Sequence, residues 1–240
     1  TLCLGKNHAL SSCSAKSGIK RRPARQQSLP GNSTGRKPGM VSSGRSEKYP
    51  VKPESGMKLH VIKIGGNVID HKENLNHFTE ELAGIKEPFV LIHGGGKLAS
   101  GMSARLGIEP KLHEGRRITD AETLDVVTMV YAGLVNKRIV ARLQFLGCNA
   151  IGLCGADANL MPARKREHPQ IDFGFVGDPN PEMLNRDLLN LFLRSGLYPV
   201  IAPLTHDTQG NLLNTNADTI ASCIAMSMAK EHEVYLHFCF

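Results

Sequence analysis

The sequence predicts an α/β domain built on a mainly parallel sheet with helices on both faces. Three observations carry this expectation. From Met57 onward, short apolar runs alternate with segments of helical spacing. The run PFVLIH at 88–93 lacks any polar alternation, as strands buried on both faces do. Glycines follow directly after apolar runs, at Gly65 and Gly66 and again at Gly94, Gly95 and Gly96. In open parallel sheets, ligands bind beyond the carboxyl ends of strands, where such turns lie.

The elements follow in order. Residues 58–64, KLHVIKI, alternate and then run apolar, which predicts a strand. Residues 75–85 read as a helix, 88–93 as a strand and 97–106 as a helix. Residues 119–147 read as a long helical region opened by TDAE, a capping box running from Thr119 to Glu122. Leu124, Val127, Tyr131, Leu134 and Val135 give that region one apolar face. Residues 150–153 form a short strand, and 171–177 are strand-like. Residues 181–195 form a helix with Gly196 just past its end. The run YPVIAPL at 198–204 reads as one strand, 217–230 as a helix and 233–238 as a final strand with an unpaired edge.

The 240 residues suffice for one large domain or two small ones. No run of 18 apolar residues is present, so no membrane-spanning helix is expected. The net charge of +7 is unevenly spread: residues 1–56 hold eleven Lys/Arg against two acids, +9, which leaves −2 for the rest. A near-neutral folded part offers little support for a nucleic-acid surface. Residues 1–56, rich in Ser, Gly, Pro, Lys and Arg, read as a disordered basic leader. Its composition is transit-like, yet Met57 stands directly before the first strand, so upstream or added sequence is preferred. The expected location is cytoplasmic, or organellar if the leader is a genuine transit peptide. The six cysteines form no C-x-x-C pair, which suits reduced thiols and argues against zinc.

Four motifs can carry chemistry. In Lys63-x-Gly65-Gly66-Asn67, two glycines let backbone N–H groups turn outward and form an anion-binding concavity. Lys63 either neutralises a phosphoryl group there or is an ordinary snorkelling lysine. In LIHGGGK, 91–97, three glycines precede a helix whose N-terminus attracts carboxylate or phosphate. The Walker A pattern fails, because Leu98 follows Lys97 where Ser or Thr is needed. A dinucleotide fingerprint is matched by Gly94, Gly96 and Ala99, with Glu114 downstream, but no second apolar strand ends in that acid. In GRRIT, 115–119, Arg116 or Arg117 can clamp a carboxylate bidentately. In NLLNTNADTIA, 211–221, Asn214 and Asn216 offer amides and Asp218 sits in a first helical turn, where capping alone also explains Asn and Asp.

Together and in this order, IKIGG, IHGGGK, GRRIT and NTNAD resemble the signature segments of the amino acid kinase family, over roughly residues 57–240. The resemblance implies a three-layer αβα sandwich, a homodimer, and ATP with Mg2+ as cofactors. Within the family the motifs are most similar to those of kinases that phosphorylate the side-chain carboxylate of N-acetyl-L-glutamate. Carried over, Lys63 stabilises the transferring phosphoryl group and Asp218 orients catalytic lysines. Gly65 and Gly66 donate backbone N–H groups to the phosphate. Gly95 and Gly96 hold the acyl-amino acid, Arg117 clamps its carboxylate and Asn214 grips its α-substituents. No metal-ligating residue is assigned, and neither nucleic acid nor membrane is an expected partner.

The family's second catalytic lysine and most of its nucleotide pocket belong to a later segment, so the 240-residue chain alone is expected to lack turnover and to bind ATP poorly. No amphipathic helix precedes residue 57, so a dimer insensitive to arginine is expected. An N-succinyl substrate, another substrate of the family (glutamate, aspartate, carbamate or UMP) and a non-catalytic regulatory or ligand-binding role stand as alternatives.

Overall fold

The structure, a computed structural model, describes residues 56–113 and 116–240. The leader read in residues 1–55 lies outside the described residues, as do Glu114, Gly115 and the side chain of Arg116.

Five parallel strands form the central sheet. They are β1 (Lys58–Ile64), β2 (Phe89–His93), β5 (Ala150–Leu153), β8 (Tyr198–Ile201) and β11 (Glu233–Cys239), in the order β11-β1-β2-β8-β5. β1 shows how one strand serves two layers. Leu59 and Val61 point into one core with Val90 and Ile92, while Ile62 and Ile64 point into the other with Phe89 and Leu91. This is the period of two acting on a strand covered on both sides.

One layer contains α2 (Lys72–Ala83), α3 (Gly96–Arg105), α4 (Ala121–Thr128) and α5 (Asn136–Phe145), packed through Leu82, Ala99, Val127, Ile139 and Leu143. The other contains α6 (Arg186–Arg194) and α7 (Ala217–Met228), packed through Leu189, Leu193, Ile220, Ile224 and Met228. Each fully buried aliphatic side chain contributes roughly 1.5–3 kcal/mol of transfer free energy. The result is the expected three-layer αβα sandwich. A four-residue helix, α1 (Gly66–Ile69), follows β1 after Gly65.

Several expectations needed adjustment. The long helix expected over 119–147 is three pieces: α4, a π-helix at Met129–Val135, and α5. Its cap is Asp120, whose carboxylate accepts from the Thr123 N–H at 2.9 Å, and not Thr119. Thr119 is instead drawn into a bridge with Gly174. Gly174 has φ +71°, and a Cβ there would stand 2.2 Å from the Thr119 carbonyl oxygen, so only glycine fits the crossing. The strand expected at 171–177 therefore starts later, as β7 (Val176–Pro179).

The run 198–204 divides. Its first half is β8 in the central sheet, and its end enters β9 (Leu204–His206) in a second sheet. That sheet, in the order β6-β7-β10-β9, contains β6 (Ala163–Lys165) and β10 (Leu212–Thr215) and was not foreseen. Residues 181–195 form a short 3₁₀ turn, Pro181–Met183, and then α6, with Gly196 beyond its end at φ +67°. A two-stranded hairpin, β3 (Leu112–His113) with β4 (Arg116–Arg117), completes the described elements. Among the described residues no helix is long and apolar enough to cross a membrane.

Candidate active site

Beyond the carboxyl ends of the central strands lies a cavity of about 540 Å³. The Gly94–Gly96 turn, Arg117, Tyr131, Asn214 and Asp218 contribute to its wall, with Leu112, Val176 and Pro203 as apolar patches. The second sheet brings Asn214 here, since β10 pairs with β7 and leads into α7.

Lys63 shares the side of β1 on which Leu59 and Val61 face α7. It is 7% exposed, and its Nζ stands 2.9 Å from Asp218 Oδ1. The contact is a charge pair: Asp218 Oδ1 meets no donor with hydrogen-bond angles. Asp218 sits in the first turn of α7, whose N-cap Asn216 accepts from the Asp218 and Thr219 N–H groups at 2.8 and 3.0 Å. A carboxylate there is favoured by the helix dipole as well as by Lys63. A Cβ on Gly65 would lie 3.5 Å from Lys63 Nζ, so the first glycine turn and the ammonium group are neighbours.

The second turn is tied to the first, because Gly94 N–H donates to the Ile64 carbonyl at 3.1 Å. Gly95 has φ +148°, and a Cβ there would meet the Tyr131 ring at 3.0 Å. Glycine is thus required twice over, by backbone conformation and by space. Gly95 caps α3 without a side chain, which leaves first-turn N–H groups free for a ligand.

Arg117 crosses to this helix. Its Nη2 donates to Ser100 Oγ at 2.7 Å and to the Gly96 carbonyl at 3.3 Å. Its Nη1 is buried with no hydrogen-bond partner. An unmade bond from a buried charged donor is costly, and a ligand carboxylate would relieve it. Tyr131 lies beside Arg117; burial raises its pKa, and the guanidinium acts in the opposite sense. Asn214 Nδ2 donates to Thr119 Oγ1 at 3.0 Å, which anchors its amide in the cavity wall.

Sequence reasoning named Lys63, Gly65, Gly95, Gly96, Arg117, Asn214 and Asp218; the last five line one cavity, and Lys63 and Gly65 adjoin it through Asp218. The donation expected of Gly65 is not open to it, because its N–H donates to the Cys239 carbonyl at 2.8 Å in the pairing of β1 with β11. Gly66 stands apart from that wall: it opens α1, where a Cβ would lie 3.0 Å from Asp70 Oδ2. Sequence reasoning missed Arg166, which lines the cavity but is paired with Asp178 through Nε at 3.0 Å. Asp70 was missed too. Both its oxygens are buried without hydrogen bonds, and Lys97 Nζ is 3.7 Å from Oδ2. Neither residue had a motif to announce it. Tyr131 was read only as part of an apolar face, which its ring also serves.

The chain is similar to several known proteins. An acetylglutamate kinase of Parabacteroides distasonis is 56% identical over 183 residues, 76% of this chain and 71% of that relative. Acetylglutamate kinases of Cytophaga hutchinsonii and Bacteroides fragilis are 54% and 52% identical, each over 76% of this chain and 69% of theirs. Among solved structures, the N-acetylglutamate synthase of Neisseria gonorrhoeae complexed with coenzyme A and N-acetyl-glutamate superposes with a TM-score of 0.61. It is 23% identical, over 72% of this chain and 40% of that one, and speaks for the fold alone. Residues 58–236 match the family described as the Amino acid kinase family, and the chain belongs to it.

Proposed function

We propose that this chain forms the acyl-amino-acid-binding part of an enzyme that phosphorylates the side-chain carboxylate of N-acetyl-L-glutamate with ATP, giving an acyl phosphate in arginine or ornithine biosynthesis. One observation carries the reading: Lys63 pairs with Asp218 beside the Gly65 turn, at the mouth of a cavity where Arg117 holds a buried, unpaired N–H. The three relatives called acetylglutamate kinase support it.

Both reactants are anions, so the chain's work is positioning and charge neutralisation. Arg117 takes the carboxylate remote from the reaction, and Asn214 with the Gly95–Gly96 turn holds the amide and acyl group. The reacting carboxylate then lies towards Lys63. Gly66 offers its backbone N–H to the phosphoryl group, the Gly65 N–H being taken by the Cys239 carbonyl at 2.8 Å, and Lys63 offsets the charge that develops on it. Asp218 keeps the ammonium aimed there. No general base is needed, because a carboxylate is ionised at pH 7.

The glycine turns and Lys63 fit ATP phosphates. Among the described residues no three His, Cys, Asp or Glu side chains form a metal-binding group, so Mg2+ is assigned to the nucleotide rather than to a protein cage. Bound there, Mg2+ would neutralise phosphate charge. The reading includes a homodimer and a cytoplasmic location.

Calorimetry of the 240-residue chain tests the acyl-amino-acid half. N-acetyl-L-glutamate is expected to bind with 1:1 stoichiometry, and Arg117→Ala to weaken it by about 100-fold, the worth of a charged hydrogen-bonded contact. Equal affinity for free glutamate, or a stronger one for N-succinyl-L-glutamate, would overturn the substrate. ADP release by a fusion with the part of the Parabacteroides relative that lies outside the match tests the transfer itself.

A further inference from the structure

The residues between α4 and α5, Met129–Val135, form a π-helix. Such wide turns are rare and gather at functional sites. In an α-helix, side chains five apart point about 140° away from each other. In a π-helix, whose hydrogen bonds join residues five apart, they fall on one side. Tyr131 and Asn136 are such a pair. The Tyr131 ring packs under Gly95. Asn136, 1% exposed, donates from Nδ2 to His93 Nε2 at 3.2 Å and to the Val200 carbonyl at 2.9 Å. Its Oδ1 accepts from Lys137 Nζ at 3.1 Å. Both ends of the amide are engaged, which sets its orientation.

His93 Nε2 is therefore the acceptor, and Nδ1 carries the proton. That N–H donates to the Gly94 carbonyl at 2.8 Å. Burial lowers the His93 pKa to about 4, with Lys137 adding in the same sense, so the ring is neutral near pH 7. In a trans peptide the C=O and N–H point in opposite directions. With the Gly94 carbonyl turned towards buried His93, the Gly95 N–H turns the other way, to the cavity that Gly95 lines. Glycine also permits the reversed peptide. That orientation would set a carbonyl oxygen against the oxygen of an arriving acyl group.

We propose that His93, oriented by Asn136 from the end of the π-helix, is a positioning residue that latches the Gly94–Gly95 peptide with its N–H towards the oxygen of the substrate's acyl group. The proposal deepens the reading of this cavity as an acyl-amino-acid site and rests on it. The latch works by a single donor, at the ring position that an asparagine amide nitrogen also occupies.

The test compares His93→Asn with His93→Leu in the 240-residue chain, by calorimetry with N-acetyl-L-glutamate and by thermal unfolding. A latch expects His93→Asn to bind within about threefold of the parent and His93→Leu to bind at least about tenfold more weakly, the worth of one misdirected hydrogen bond. A residue that only fills space expects the reverse order, since leucine suits the apolar site and asparagine leaves a void. Parent-like binding by His93→Leu overturns the latch. If His93→Leu does not fold, His93→Asn decides alone: a folded variant about tenfold weaker overturns the proposal. If the parent itself does not bind N-acetyl-L-glutamate, the substrate reading fails instead. A crystal structure of His93→Leu then judges the latch: a Gly94 carbonyl turned into the cavity supports it, and an unmoved peptide overturns it.

Discussion

Acid should weaken this fold through His93 more than through its other histidines. His93 ends β2, is fully buried, and has both ring nitrogens committed. Protonating Nε2 would set two donors, the ring and the Asn136 amide, against each other at 3.2 Å. Lys137 is the charged neighbour that acts on the ring and opposes protonation further. The folded pKa is about 4 against 6.5 for the free side chain. The folded value is the lower one, so the unfolded chain takes up the proton first as pH falls. The stabilisation is present in full above about pH 6.5, is lost between there and about pH 4, and then levels off. Across that window the loss amounts to roughly 3 kcal/mol, at about 1.4 kcal/mol per pH unit.

His60 and His232 also have lowered pKa values, from burial first, and add losses of the same sign. The measurement is therefore a difference. Urea unfolding, followed by far-ultraviolet circular dichroism, would be run from about pH 7 to about pH 4 on the chain and on His93→Asn. The variant keeps the donor to Gly94 but has no group that titrates in this range. It should start less stable and lose roughly 3 kcal/mol less over the window. Parallel curves for the two proteins would refute the assignment of a buried neutral imidazole.

Lys63→Met should reduce phosphoryl transfer by at least about 100-fold in the fusion described above, while N-acetyl-L-glutamate affinity and fold persist; calorimetry and ADP release separate the two, and an unchanged rate would remove Lys63 from the chemistry. Gly95→Ala forces a side chain into φ +148° and against the Tyr131 ring at 3.0 Å, so it should cost about 1–3 kcal/mol in urea unfolding and abolish substrate binding. Asn216→Ala removes the cap of α7 and should cost about 1 kcal/mol. If Asp218 loses its register with it, turnover should fall by more than affinity does, which steady-state kinetics would reveal.

Much of this fold could be read residue by residue. β1 and β2 were evident because a strand buried on both faces is a short apolar run, and because glycine ends it sharply. The site residues were legible where chemistry and conformation coincide: a lysine inside an apolar strand, glycines at strand ends, an aspartate opening an apolar helix. Less legible were elements whose form depends on a distant partner. Thr119 looks like a helix cap, yet Gly174 draws it into a bridge and Asp120 caps instead. The run 198–204 looks like one strand, but residues on either side of Ala202 and Pro203 pair with different sheets.

The order of strands and helices, the buried faces and the polar groups at strand ends follow from local rules of period, branching and turn chemistry, so the amino-acid sequence determines them directly. Only the tertiary structure decided that β10 delivers Asn214 to the cavity, that the helix after Thr128 widens into a π-turn, and that Asn136 reaches across to His93. The physical reason is that these features are set by contacts between residues far apart in the chain, whose energies outweigh local preference and leave no periodic trace in it.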